Sequence, residues 1–501
     1  MAGGFLRQAL EAQDRHDHRG ALLLFQQALA VEPSNWIGHT GLGNSLRALG
    51  QLDEAIAACT RGVQADDQSV PAWTQLGLAY QAKGLFNEAR LCLGRACHLQ
   101  PDSADALANV SAMELSAENF DAADEAGRQA LRLAPGHARA AINLGRACKE
   151  QGAVDEAIAL YLRALAVEPT NTDARWNLGL ALLQSERWAE GWPLHELRSA
   201  IPGAPASAPG LVLWDGRPLA GATVLVQAEK GLGDTIQFSR YVRLLKERAG
   251  AERVIVESQP AIEQLLRGCA GVDAVVPRGR PLPDAELDVR VPLMSLPLLL
   301  GAFDPAASAT ERYLTASPER TAFWKAALGQ RQRGRAGAIG IAWQGNPAYL
   351  ADRRRSIPLL ALLPFIRLAR ERGFVVYSLQ KDFGSEQLRA LPIEMTGAVD
   401  DLAPSLDGGG AGAAFVDTAS VMANLDLVLS SDTAVPHLAG ALGVPTWLLL
   451  SHVPDWRWGR RGGETPWYPS LRLFRQRQAG DWAGVVADAC AALTVIERKR
   501  A

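Results

Sequence analysis

Residues 36–69 read WIGHTGLGNSLRALGQLDEAIAACTRGVQADDQS and residues 70–103 read VPAWTQLGLAYQAKGLFNEARLCLGRACHLQPDS. Overlaid, the two stretches of 34 residues keep the same residue types in register: Leu42-Gly43 over Leu76-Gly77, Ala55 over Ala89. The register extends in both directions. Small residues recur at Ala21, Ala55, Ala89, Ala123, Ala157 and Gly191, and again at Gly43, Gly77, Ser111, Gly145 and Gly179. A third series is Leu42, Leu76, Val110, Leu144 and Leu178, and a fourth is Pro33, Asp67, Pro101, Pro135 and Pro169. Phased series at one period define a repeat array over residues 1–200. Each unit predicts two helices. A small residue stands where their backbones approach, the leucine fills the seam, and the proline stops the second helix. One unit cannot bury its own apolar face, so the units must stack into an α-helical solenoid.

The units begin near Gly3, Trp36, Val70, Ala104, Ala138 and Thr172 and resemble the tetratricopeptide repeat. The sixth is degenerate at 186–198 (ERWAEGWPLHELR) and reads as a cap against the next domain. Gln75, Asn109, Asn143 and Asn177 occupy one repeat position, directly before the seam residue, and are expected to face the concave groove. An amide offers a donor and an acceptor to any peptide group. In the O-linked N-acetylglucosamine transferases an asparagine ladder at this position grips a bound polypeptide, and the resemblance implies a protein or peptide partner here. The alternative is that these amides bond adjacent repeats to one another.

Beyond the array the composition changes. Residues 201–210 (IPGAPASAPG) read as a linker. Short β-branched runs then alternate with helical stretches. Strands are expected at 223–227, 253–257, 274–276 and 287–289, with helices at 238–249 and 261–268. A basic, glycine-rich stretch at 329–337 precedes a second set, with strands at 338–343, 374–379, 425–430 and 446–450 and helices at 359–372, 417–423 and 437–442. Residues 407–414 (DGGGAGAA) read as a mobile loop. The pattern predicts two Rossmann-like lobes, 211–328 and 338–501, facing one cleft, with ligands bound beyond the carboxyl ends of the strands.

Two motifs stand at such strand ends. The first strand runs into Ala228-Glu229-Lys230-Gly231-Leu232-Gly233-Asp234, a glycine loop opening a helix, which suits an anion or a sugar. The second is Ser430-Ser431-Asp432-Thr433-Ala434-Val435-Pro436-His437 after an apolar strand; Pro436 suits a first helical turn. Together they resemble the heptosyltransferase-like glycosyltransferases of family 9. That family has the two-domain GT-B fold, a glycine loop ending in Gly-Asp and a D-[ST]-G-x-x-H motif. Ala434 stands where that motif has glycine. The resemblance spans about 211–493; with the repeats, the chain resembles bacterial proteins joining a tetratricopeptide array to such a transferase. It implies an inverting, metal-independent transfer from a nucleotide-sugar, with no other cofactor. Asp234 would be the general base, which takes the acceptor proton; the alternative is that it caps its helix. Gly231, Gly233, Asp432, Thr433, Ala434 and His437 would bind the donor.

Other features point to the same cleft. Gln344, at the end of a strand, and Arg354, in the run 353–355, are candidates for donor binding; an arginine there could grip a diphosphate bidentately, and a solvated basic loop is the alternative. Trp447, Trp456, Trp458 and Trp467 crowd one region with Tyr468, Arg457, Arg460 and Arg461. They would stack on a sugar or base, or fold a loop onto the protein. Residues 481–498 read as a final amphipathic helix, which in GT-B proteins often crosses back to the first domain. Lys+Arg of 51 against Asp+Glu of 54 argues against a nucleic-acid binder or a polybasic membrane protein. Six scattered cysteines argue against a disulfide framework or zinc site. Residues 1–20 hold no apolar signal core, and the longest apolar runs are too short to span a bilayer, so a cytoplasmic protein without a transmembrane segment is expected. A non-catalytic scaffold with a degenerate nucleotide-binding module is the competing function, since fold does not imply activity.

Overall fold

A computed structural model describes residues 2–200, 210–229, 231–282, 287–308, 312–349, 351–408 and 412–495. Most of the expected linker, 201–209, and Lys230 lie outside the described residues. The chain divides into two compact units, Met1–Ala181 and Leu182–Ala501.

The first unit is built of helix pairs at the expected period: α1 (Ala2–Asp14) and α2 (His18–Val31), α3 (Trp36–Ala48) and α4 (Leu52–Ala65), α5 (Val70–Ala82) and α6 (Phe86–Leu99). Then come α7 (Ala104–Ser116) and α8 (Phe120–Leu133), α9 (Ala138–Glu150) and α10 (Val154–Val167), and α11 (Thr172–Gln184), whose end passes into the second unit. The small-residue series is buried where the pairs meet: Ala21, Ala55, Ala89, Ala123 and Ala157 are fully covered. A β-carbon on Gly145 would lie 2.6 Å from the Tyr161 ring, and one on Gly43 would overlap Cys59 Sγ and lie 3.1 Å from the Ala55 carbonyl. Ser111 replaces glycine where the facing helix supplies Gly127, and its hydroxyl donates to the Ala123 carbonyl at 2.8 Å. A further series at the same spacing holds the first helix of each later unit. Asn35, Ser69, Ser103, His137 and Asn171 each accept a backbone N–H from the first turn; each cap contributes about 1 kcal/mol.

These contacts predict opposite outcomes for two helical glycines. Gly43→Ala should destabilise the array by about 1–3 kcal/mol, because the close neighbours include backbone that cannot yield. Gly94→Ala, with nothing within 4 Å, should stabilise it by up to about 1 kcal/mol. Thermal unfolding of the two variants checks this; equal shifts would refute the packing argument.

The second unit opens with α12 (Trp188–His195), the second helix of the degenerate sixth repeat, followed by a 3-10 turn at Glu196–Ala200. Its strands are β1 (Val212–Leu213), β2 (Thr223–Gln227), β3 (Arg253–Ser258), β4 (Ala274–Pro277), β5 (Val289–Pro292), β6 (Gly337–Ala342), β7 (Phe374–Ser378), β8 (Asp400–Asp401), β9 (Leu427–Ser431), β10 (Thr446–Leu450) and β11 (Leu471–Arg475). They form two parallel sheets, in the orders β1-β5-β2-β3-β4 and β11-β10-β9-β6-β7-β8. β2 and β9, which carry the two motifs, are interior strands, and their apolar residues are buried throughout. This is the helix-covered parallel architecture that the alternation of strands and helices implies.

Several expectations shift. The strand expected at 287–289 forms at Val289–Pro292, and β1, β8 and β11 were not anticipated. β1 and β8 are two residues each, too short to carry a periodic signal. Helix Pro318–Gln332 runs through residue 328, where the sequence suggested the first lobe ends. It packs on helix Val416–Met422, where the Trp324 indole N–H and Arg320 Nε donate to Asp417 Oδ1 at 2.8 and 2.7 Å. The closing helix, Trp482–Val495, does not cross back among the described residues: Val485, Val486, Ala489, Ala492 and Leu493 enter the core of the six-stranded sheet with Phe365 and Ile366. The flanks of the 407–414 loop are pinned. Asp407 accepts the Asp417 N–H at 2.7 Å, and the Ala414 N–H donates to the Ala261 carbonyl at 2.9 Å; residues 409–411 lie outside the described residues.

Candidate functional site

β2 ends at the glycine loop, and helix Leu232–Phe238 follows. The helix begins at Leu232 rather than near Thr235, so Asp234 is not its N-cap residue; as the third helical residue it bends back, and its Oδ2 accepts the N–H of the N-cap Gly231 at 2.9 Å. Asp234 Oδ1 is ion-paired with Arg457 Nη2. Arg457 is buried and also donates through Nε to Gln237 Oε1 at 2.6 Å and through Nη1 to Asp455 Oδ1 at 2.9 Å; its guanidinium lies 4.4 Å from the Trp456 ring centroid. Burial pulls its pKa down, but Asp455 and Asp234 outweigh burial and the net shift is upward.

The second motif arrives from the other sheet. Thr433 caps helix Ala434–Leu442, its hydroxyl accepting the Val435 N–H at 3.2 Å. The two motifs touch. A β-carbon on Gly233 would lie 3.2 Å from His437 Cδ2 and 3.4 Å from Ala434 Cα, so Gly233 permits the close approach. Ala434 is helical and needs no glycine-only backbone angle; its methyl faces Gly233 across the same gap. Asp432 is buried, and burial with neighbouring Asp455 pushes its pKa up to about 6 against the pull of Arg355 and Arg457. His437 is buried with its ring stacked on Trp458, centroids 5.1 Å apart. Burial and the charges of Arg457, Arg240 and Arg355 hold its pKa well below the usual value.

The remaining candidates divide. Gln344 is committed within its own lobe: its backbone is bracketed by the Gln380 amide, and its Oε1 accepts from Gln387 Nε2 at 2.7 Å. In helix Asp352–Arg355 the charge of Arg355 acts on Asp432 and His437; Arg354, the expected candidate, is the residue before it in the same short helix. Arg355 is held by Asp352 at 3.2 Å and lies over the Tyr349 ring at 4.6 Å. Tyr349 is itself pushed up by burial and by Asp455. Arg355, Tyr349 and Asp455 were not singled out from the sequence. Asp455 and Arg457 alternate along one short segment, a weak signal without knowledge of which strand ends it faces.

The aromatic cluster is core, as the loop-folding alternative expected. Trp456, Trp458, Trp467 and Tyr468 are buried, and Trp456 and Trp467 meet Trp188, Trp192 and Phe238 edge to face at 5.7–6.4 Å. Trp447 belongs elsewhere: it sits under the six-stranded sheet with Phe365 and Phe474. Glu229, in the glycine loop, is buried against Arg198 (2.9 Å) and accepts the Met294 N–H at 2.9 Å, which ties the loop to the segment after α12.

In the repeat unit a cavity of about 860 Å³ is lined by Arg139, Asn143, Arg146, Asp173, Trp176 and Asn177 among others. The amide series is not a uniform ladder. Asn143 Nδ2 donates to the Ala108 carbonyl of the preceding repeat at 3.0 Å, the inter-repeat role given as the alternative. Asn177 Nδ2 bonds the Asp173 carbonyl of its own helix at 2.8 Å, Asn109 is buried, and Gln75 does not line this cavity. No helix among the described residues is long and apolar enough to cross a membrane.

Comparison with known proteins identifies the array. Residues 6–70 and 74–136 match the family model described as tetratricopeptide repeat, and residues 145–185 match one described as TPR repeat. The N-terminal part of this chain is a tetratricopeptide-repeat array. Protein FlbA of Caulobacter vibrioides is 25% identical over 500 residues, covering 94% of this chain and 75% of FlbA. The likeness therefore extends well past the repeats. Type IV pilus assembly protein PilF of Pseudomonas aeruginosa is 32% identical over 126 residues, 25% of this chain and 50% of PilF. Among solved structures, a thermophilic TPR protein of Thermus thermophilus is similar at 24% identity with a TM-score of 0.34, covering 36% of this chain and 100% of that one.

Proposed function

We propose that the unit Leu182–Ala501 is a GT-B glycosyltransferase and that the repeat array presents its acceptor, a polypeptide. One observation carries this reading: the loops following β2 and β9 bring Asp234, Asp432, Thr433 and His437 together with Arg355 and Arg457. In the transfer, the acceptor oxygen attacks the anomeric carbon, the bond from that carbon to the diphosphate oxygen breaks, and Asp234 takes the acceptor proton. The departing negative charge falls to Arg355, Arg457 and the amino end of helix Ala434–Leu442. Arg457 turning from Asp234 to the diphosphate would free Oδ1 for the proton.

The test incubates the full chain with a panel of nucleotide-sugars and measures nucleoside diphosphate release. Asp234→Ala should lower it by about 10²–10⁴-fold. Equal release at background rate by both proteins across the panel would end the catalytic reading. A second reading, a repeat scaffold carrying a nucleotide-binding module, is favoured by the capture of both Asp234 oxygens by Gly231 and Arg457. Calorimetric binding of a nucleotide without turnover would support it.

A further inference from the structure

We infer that the degenerate last repeat is the positioning element of the candidate site: through Trp456 it sets the place of Arg457, and through Arg198 it holds Glu229 and with it the glycine loop. That the site transfers a sugar rests on the transferase reading; the positioning does not.

Asp455 and Arg457 lie in the long connection 451–470 between β10 and β11, whose one helical turn is the 3-10 turn Trp456–Trp458. Connections of such length hold little order of their own and are usually functional. The stretch 454–459 meets the last repeat along its length. At its start, the buried Gln184 donates through Nε2 to the Pro454 carbonyl at 3.3 Å. At its centre, the Trp456 ring meets Trp188, Trp192 and His195 at centroid separations of 6.4, 5.7 and 5.8 Å. At its end, Glu186 Oε1 lies 2.9 Å from the β-carbon position of Gly459, whose φ is +63°. Arg475 of β11 secures the same end, donating through Nη1 to the Gly459 carbonyl at 3.2 Å. The Trp456 ring thus touches both the repeat and the Arg457 guanidinium, which lies 4.4 Å from its centroid. A cation on an aromatic face is held most strongly when desolvated. Fixing the ring therefore fixes the buried guanidinium against Gln237 Oε1, at 2.6 Å, and Asp234.

The other hold is ionic. The 3-10 turn that ends the repeat carries Arg198, which is buried. Its Nε and Nη2 donate to Glu229 Oε1 and Oε2 at 2.9 and 3.1 Å, a fork-to-carboxylate geometry that fixes orientation as well as distance. Nη1 donates to Glu196 Oε1 at 2.6 Å, and Nη2 donates also to Ser295 Oγ at 2.7 Å. Ser295 Oγ in turn donates to Glu196 Oε2 at 2.6 Å, which closes the network. Glu229 stands just before the Lys230-Gly231 pair, and the Gly231 N–H is the one that Asp234 accepts. The two holds thus fix, from one short stretch of chain, the two segments that the Arg457–Asp234 pair joins.

The test is hydrogen exchange in the full chain labelled with ¹⁵N at arginine and glycine, read by NMR. The Arg457 Nε–H and the Gly231 N–H are assigned by their loss in Arg457→Lys and Gly231→Ala. In Trp456→Leu the Arg457 Nε–H should exchange about 10-fold faster than in the wild type. In Trp456→Phe, which keeps an aromatic face, it should stay near the wild-type rate. Trp447→Leu makes the same change under the six-stranded sheet and should leave the rate unchanged, which separates positioning from a general loss of stability. In Glu229→Gln the Gly231 N–H should exchange about 10-fold faster. A wild-type rate in Trp456→Leu, or an equal rise in Trp456→Phe or Trp447→Leu, overturns the role of Trp456. A wild-type rate in Glu229→Gln overturns that of Arg198. If Trp456→Leu unfolds, Gln184→Ala takes its place: a rise of about 3-fold is expected, and an unchanged rate overturns the proposal. No ligand and no turnover enter these readouts, so a failure here is separable from a failure of the transferase reading.

Discussion

A fragment that begins at residue 211, after the linker the sequence suggests, should fail to fold, whereas one that begins at Leu182 should fold cooperatively. The second unit includes residues 182–200. Trp192 is fully buried and donates through its indole N–H to the Phe303 carbonyl at 2.8 Å. With Trp188 it forms part of the aromatic core around Phe238, Trp456 and Trp467. Removing a buried tryptophan costs about 3–5 kcal/mol. Removing Arg198 leaves Glu229 a buried carboxylate without its ion pair, about 3–5 kcal/mol more. Together these losses reach the whole stability of an ordinary domain, about 5–15 kcal/mol. Circular dichroism melts of the two fragments check this, and Trp192→Ala in the full chain isolates one contribution. Indistinguishable melts of the two fragments would show that residues 182–200 are dispensable.

Asp432→Asn should make the protein more stable at pH 7, by about 1–3 kcal/mol, while weakening ligand binding. The carboxyl is buried, and its folded pKa, about 6, lies above its ordinary value of 3.8. The sign follows from proton linkage. Between those two values the folded state holds a proton that the unfolded state has released, so stability falls as pH rises through the window. Above about pH 6 the carboxylate is ionised at a cost that asparagine does not incur. The advantage of the variant should shrink as pH falls below about 6 and vanish below about 4. Unfolding midpoints at pH 4 and pH 7 measure it; a difference between the proteins that does not change with pH would refute the burial argument. A carboxylate that costs stability where the two motifs meet suits a ligand-contacting group.

The contrast between these two regions shows what was legible in advance. The helix pairs were readable because their determinants are local and periodic: Gly43 against Cys59 and Gly145 against Tyr161 are packed between helices about half a repeat apart. The interior strands β2, β3, β9 and β10 were readable because strands buried on both faces are continuous apolar runs. The expected Gln75–Asn177 ladder was read by position alone, and Asn143 turned instead to the Ala108 carbonyl. A run of three arginines, 353–355, carries no sign in the sequence of which one acts on Asp432, and the charge of Arg355 was found only in the folded arrangement.

From its order of residues alone the chain specified a 34-residue repeat, the alternation of strand and helix beyond it, and the two loops that follow β2 and β9, because each of these depends on neighbours within a few dozen positions. The partners at those loops came only with the folded arrangement. Asp234 meets Arg457, Gly233 meets His437, and Glu229 meets Arg198 across separations set by parallel crossovers and by a degenerate last repeat. No local pattern encodes such pairs, since a side chain's partner across two sheets depends on strand order and on which face each loop leaves. The same holds for the boundary. Pro and Gly marked residues 201–210 as a linker, but the aromatic and ionic burial of α12 and Arg198 placed the working edge of the second unit at Leu182.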